Sequence, residues 1–212
     1  MPGPRLRPVS PQPEPQPSTA PRLNFSFPQS PVIWRYVQRY TILTPALDTT
    51  SLGDIPLPPQ GLHAKIYWSA SDTSANASAS FGGMQIAVNG GAVDIAGHYS
   101  WTDVSNTNGG GPVGNGLLAA ASWGAFVTTG GGTGAQWASN GRIYLERYSD
   151  PTQQAKIWWD TAQINSGAVL RRMGAGYFTG AQGAVTKLHF FSGAGNLATG
   201  TFFELWVAMP AS

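Results

Sequence analysis

The chain has 212 residues, no cysteine, 27 glycines, eight tryptophans, and only 10 % charged side chains against 42 % hydrophobic ones. That length suits one domain whose core needs no metal or disulfide, and the missing cysteine removes thiol catalysis, zinc–thiolate sites and iron–sulfur clusters. The formal charge of +2 is unevenly spread: Arg5, Arg7, Arg22, Arg35 and Arg39 face only Glu14 in the first forty residues, so the remainder is slightly acidic, which argues against a nucleic-acid-binding body.

Residues 1–31, MPGPRLRPVSPQPEPQPSTAPRLNFSFPQSP, hold ten of the 17 prolines. Proline fixes φ and lacks an N–H, so this stretch favours extended polyproline conformation over helix or sheet. It reads either as a plain linker or as an arm that docks along another protein. Arg5, Arg7, Leu23, Phe25 and Phe27 are the candidate docking residues, since apolar anchors are wasted in a spacer. The segment has no apolar core of a secretory signal, so none is expected.

From Val32 to the C-terminus the text is β. VIWRYVQRYTIL (32–43) mixes aromatic and β-branched residues with arginine, and DIPLPPQG (54–61) interrupts it. LHAKIYWSA (62–70) alternates, with Leu62, Ala64, Ile66 and Trp68 predicted inward and His63, Lys65, Tyr67 and Ser69 outward. MQIAVNGGAVDIAGHYSW (84–101) predicts a hairpin over the Asn89-Gly90 turn signal. VSNTNGGGPVGNG (104–116) predicts a surface loop, and LLAAASWGAFV (117–127) a buried strand rather than a helix. Strand segments follow over 141–150, which ends in the Asp150-Pro151 turn, 155–164 and 168–178, and the chain closes on AVTKLHFFSGAGNLATGTFFELWVAM (184–209), read as a hairpin. Phe202, Glu204 and Trp206 share one face of its last strand; Phe203, Leu205, Val207 and Met209 share the other. The expected fold is all-β, an antiparallel two-sheet sandwich or jelly roll (32–212) behind an extended Pro-rich N-terminal arm (1–31).

The residues offer no catalytic constellation. There is no G-x-S-x-G elbow, and His63, His98 and His189 fall on separate segments. His98 with Asp94 and Asp103 is the one conceivable metal cluster, without a ligand-spacing motif. Glu146 and Asp160 are the carboxylates a sugar-cleaving enzyme would use, and strand-face roles explain them better. The glycine-rich strings open no helix after a strand, so no nucleotide or other cofactor is expected, and no stretch is long enough to insert in a membrane. Tyr99, Trp101, Trp123, Trp137, Trp158 and Trp159 lie in or beside predicted loops. There they either fill core and interface or stack on sugar, with Trp101 and Trp137 as the candidate glycan contacts of a carbohydrate-binding adhesin.

The terminal segment VTKLHFFSGAGNLATGTFFELWVAM resembles the closing hairpin of a group of bacteriophage virion proteins. Ser192, Gly193, Gly195, Asn196, Gly200, Thr201 and Leu205 occupy the matching positions. Upstream, LPPQGLHAKIYWSA and MQIAVNGG are similar to strand-and-turn steps of the same group. The resemblance implies a non-enzymatic jelly-roll subunit, a homotrimer on the head or tail of a phage particle. Such a subunit serves as capsid decoration or head spike, or as tail or collar fibre, with capsid or tail proteins as partners. Here Trp206-Val207-Ala208 replaces the Tyr-Gly-like ending of many fibre tips, which favours a separate subunit pinned to the virion by its arm. On this reading Phe202 and Trp206 form the seam between copies.

Overall fold

The computed structural model describes residues 32–74, 79–107, 113–130, 139–165 and 168–210. Among them the regular structure is strand, apart from one 3-10 turn at Thr49–Leu52. No helix among them is long and apolar enough to cross a membrane. Two antiparallel sheets face each other, as the alternating text requires.

The large sheet is built from β1 (Val32–Thr41), β3 (His63–Asp72), β6 (Tyr99–Thr107), β7 (Val113–Ala120), β9 (Ser139–Glu146), β10 (Lys156–Asn165), β11 (Ala168–Phe178) and β13 (Phe202–Pro210), in the order β1-β13-β3-β9-β10-β11-β6-β7. β8 (Val127–Gly130) pairs with β3 and with β4 (Ala79–Phe81). The small sheet has the order β2 (Ile55–Pro56), β12 (Val185–Phe191), β5 (Gly83–Val88).

The core lies between the sheets. Ala64, Ile66 and Trp68 of β3, Ile143 and Leu145 of β9, Ile157 and Trp159 of β10, and Phe203, Leu205 and Val207 of β13 point inward. Met84, Ile86, Leu188 and Phe190 meet them from the small sheet. Much of the glycine content serves this interior. A Cβ on Gly141 would lie 2.5 Å from the Trp68 ring, and one on Gly174 would lie 2.2 Å from the Trp159 ring. Bare strand positions thus form sockets for indoles, which is why glycine and tryptophan are abundant together.

Several expected connections differ. The last segment is not a hairpin: β12 pairs with β2 and β5, whereas β13 lies between β1 and β3. Residues 192–201 cross from one sheet to the other. Buried Asp72 anchors that crossing by accepting from Ser74 N (2.9 Å), Thr128 Oγ1 (2.6 Å) and Ser192 Oγ (3.4 Å). Asn89 and Gly90 do turn, at φ 54° and 75°, but the return goes no further than an isolated Ala87–Val93 bridge. Asp94 redirects the chain there, its carboxylate accepting from Ala96 N and its carbonyl from the Tyr99 hydroxyl (2.8 Å). Tyr99 also accepts from Ile86 N (3.0 Å), and burial pushes its hydroxyl pKa up. Of the predicted loop over 104–116, residues 104–107 instead continue β6 and 113–116 begin β7, which pair antiparallel, while 108–112 lie outside the described residues. Residues 117–127 divide between the end of β7, a bend around buried Trp123, and the start of β8.

Candidate functional site

A small sheet against a large one leaves part of the large sheet bare. Antiparallel register puts Trp34, Tyr36, Trp206, Lys65, Tyr67, Tyr144, Arg142, Trp158, Asp160, Met173 and Tyr177 on its outer face. Such a face normally reads polar, facing water. Here Tyr36, Tyr67, Trp158, Met173 and Tyr177 are exposed, so aromatic and thioether surface replaces the usual polar coat. Two regions of this face have different character.

The first is the β1 flank. Val32, Ile33, Tyr36 and Val37 are exposed, Ile33 and Tyr36 at 50 % and 51 %. β1 overhangs the sandwich: Tyr40 packs against the core, whereas Ile33, Arg35 and Gln38 on the same side stay exposed. Behind β1, Phe202 and Trp206 do point outward together, as the alternation predicts, and both are half-buried. Trp206 meets Tyr36 edge-on at 5.4 Å. The Arg39 guanidinium lies 4.2 Å over the Phe202 ring and its Nε donates to Glu204 at 2.9 Å. Just beyond the strand, Leu43 and Leu47 are exposed as well.

The second region runs over β3, β9, β10, β11 and β6. Its first depression, about 350 Å³, is lined by Lys65, Tyr67, Arg142, Tyr144, Trp158, Asp160 and Met173 among others. A shallower one of about 450 Å³ shares Tyr67, Arg142 and Asp160 and adds Asn140 and Arg171. A third, about 550 Å³, lies across Trp158 and is lined by Ser100, Thr102, Leu118, Gln154, Lys156 and Tyr177 among others. Trp158 borders the first and third and stands 5.5 Å from the Tyr144 ring. Tyr144 in turn stacks on His63 at 5.5 Å. At the centre, the Asp160 carboxylate accepts from Arg171 Nε (3.0 Å), from Arg171 Nη2 (2.9 Å) and from Arg142 Nη2 (3.5 Å). Arg171 above all, then Arg142, holds the Asp160 carboxyl below the usual carboxylate range.

The sequence-predicted candidates distribute as follows. Trp101 is not a loop platform; it is a half-buried residue of β6, ring to ring with Trp159 at 6.2 Å. Tyr99, Trp123 and Trp159 are core residues, leaving Trp158 as the exposed member of that set among the described residues. Trp137 and the arm residues Arg5, Arg7, Leu23, Phe25 and Phe27 lie outside the described residues. The suggested metal cluster comes apart: His98 Nδ1 meets Asp94 Oδ2 at 2.9 Å, while Asp103 points into the interior against Arg172. Among the described residues no three His, Asp or Glu side chains are grouped to hold a metal.

Glu146 and Asp160 share the outer face, but Glu146 is in register with Lys156, four residues along β10 from Asp160. At about 3.4 Å per residue their backbones stand about 14 Å apart. Paired glycosidase carboxylates lie about 5–9.5 Å apart, and the general acid among them needs a raised pKa whereas Asp160 has a lowered one.

Compared with known proteins, the chain matches no family model, no curated protein and no solved structure.

Proposed function

We propose that this chain is a non-enzymatic structural subunit of a bacteriophage virion, a trimer whose copies meet along the β1 flank. The observation that carries the reading is the state of that edge strand. A ten-residue strand about 34 Å long at ordinary strand rise, exposed on both faces and one edge, invites pairing or packing by another chain. Val32, Ile33, Tyr36 and Val37 contribute apolar surface, and on the neighbouring strand Trp206 is in register with Tyr36 and Phe202 with Thr41. A fully buried large side chain contributes about 1.5–3 kcal/mol, so a few per seam, repeated around a threefold axis, suit a permanent oligomer.

The phage setting rests on the resemblance of the sequence of residues 185–209 to the closing segment of virion proteins, although here its two strands lie in different sheets, and the trimer rests on what that group implies. The arm enters β1 directly at Val32. Copies joined at β1 would therefore send out their basic, proline-rich arms side by side, and several tethers on one rigid body give lasting attachment. Capsid decoration or head spike, and tail or collar fibre, are the two placements that fit such a subunit. Mass spectrometry and imaging of purified particles test the proposal: the chain should be a stoichiometric surface component. Its absence from infectious particles would end this reading.

A further inference from the structure

The three depressions on the outer face are neighbours, each sharing lining residues with the next. Tyr67, Arg142 and Asp160 belong to two of them, and Trp158 stands between the first and the third. The track crosses from β3 to β6, four strand spacings or about 19 Å at ordinary sheet geometry. That length accommodates a linear chain of several units rather than one small molecule. It starts on β3, where Trp34 of β1 touches its end through Lys65 and Tyr144, and runs away from the exposed edge of β1.

The chemistry of the track is alternately aromatic and hydrogen-bonding. Tyr67, Tyr144, Trp158 and Tyr177 supply ring faces and edges, and Trp158 is 43 % exposed. Asn140, Gln154, Ser100, Thr102 and the Asp160 carboxylate supply polar groups between them. Rings that present an apolar face beside a few fixed polar groups suit flat, hydroxylated rings with apolar C–H faces. Asp160 is the informative residue. Two arginines hold it in place as an anion, so it offers oriented acceptors for hydroxyl donors.

Charge narrows the class further. Lys65, Arg142, Lys156 and Arg171 line the track, against Asp160 within it and Glu146 opposite Lys156. The body as a whole is slightly acidic, but its other acids lie elsewhere. Asp72 and Asp103 are buried, Asp48 and Asp54 attend His189 on the small sheet, and Glu204 attends Arg39. The track is therefore locally cationic on a body that is not.

The geometry points to a binding groove for a linear acidic glycan, a polymer of sugar rings carrying carboxylates. Trp158 and Tyr144 stack on its rings, Asp160 accepts from its hydroxyls, and Arg142, Lys65 and Lys156 meet its charges. A nucleic acid would use the same rings and cations, but the slightly acidic body offers no extended basic stripe for a phosphate backbone. This inference is independent of the assembly reading, because the groove is complete within one copy.

Calorimetric titration of the full chain tests it. The probes are oligogalacturonate, oligoalginate and a hyaluronan oligosaccharide, the methyl ester of the first, and oligo-dT of equal charge. At least one acidic oligosaccharide should bind, and Trp158→Ala should weaken it by about tenfold or more, or about 1.4 kcal/mol, without changing the melting temperature. Methyl-esterified oligogalacturonate and oligo-dT should bind more weakly than the acidic sugars. Asp160→Asn separates recognition from plain attraction: it makes the groove more positive, so a polyanion held by charge alone would bind tighter. A glycan whose hydroxyls use the carboxylate would bind weaker, as expected here. The assignment is overturned by any of four results: no binding of any acidic oligosaccharide, equal binding of the ester, preference for oligo-dT, or tighter binding by Asp160→Asn. The oligomeric state of Trp158→Ala, measured alongside, should equal that of the parent, so loss of this reading would leave the assembly reading untouched.

Discussion

Phe190 and Phe203 stack 4.6 Å apart, their planes 26° from parallel, although they belong to different sheets. Phe126 sits edge-on to Phe190 at 5.4 Å and tilted against Phe203 at 5.6 Å. This fully buried trio joins the small sheet to the large one. Truncating Phe203 to alanine leaves a cavity that neighbouring rings on two rigid sheets cannot refill. A loss of about 3–5 kcal/mol is expected, measured by denaturant unfolding. Because the two rings share a cavity, Phe190→Ala combined with Phe203→Ala should cost less than the sum of the single changes.

That pair also marks where the sequence stops being decisive. Residues 185–191 and 202–210 both alternate, and a glycine-rich stretch separates them, so a hairpin and a crossing between sheets look alike in the text. What decides is long-range: Leu197 bridges to Ala46 and Asp72, and the buried Asp72 carboxylate gathers Thr128 and Ser192. Alternation assigned inward and outward faces correctly on β3 and β13, because local pleat alone sets them. Strand partners depend on contacts that no local window contains.

Asp103 and Arg172 form an ion pair inside the sandwich, their side chains 0 % and 5 % exposed. Removing one partner strands the other charge in the interior. Asp103→Ala should destabilise the fold by about 3–5 kcal/mol. The double change Asp103→Leu with Arg172→Met should restore most of it, since apolar pairs of similar volume replace buried ion pairs at little cost. Equal stability of the single and double variants would contradict this account.

Arg171 is the first cause of the lowered Asp160 pKa. A carboxyl whose folded value lies below its unfolded value of about 3.9 stabilises the fold fully above that value. The contribution fades as pH falls through the lowered folded value. Arg171→Ala should move the Asp160 titration up towards the ordinary carboxylate range, read by carbon-detected NMR. An unchanged titration would mean that the pair is not formed in solution.

The outer-face groove was only partly legible. Ile143 and Leu145 pointing inward put Tyr144 outward, and in Trp158-Trp159 one indole had to face each way. The alternation therefore announced outward aromatics without saying that four strands would bring them together. Trp101 was read as lying in or beside a loop, whereas it is a strand residue that lines the third depression. Its β6 neighbours looked like loop because Gly114 and Gly116 of β7 carry no side-chain signal, yet those residues pair with Val104 and Thr102. The β1 flank was not singled out either: VIWRYVQRYT reads only as a strand mixing aromatic and β-branched residues with arginine, and its place at the edge of the large sheet is what leaves it uncovered.

Central to the whole account is that a single copy leaves the β1 flank uncovered and so requires others. Sedimentation equilibrium of the full chain at micromolar concentration, beside the Ile33→Ser, Tyr36→Ser, Val37→Ser triple variant, tests that directly. The account predicts a trimer for the parent and a folded monomer for the variant. A parent chain that sediments as a monomer would contradict it.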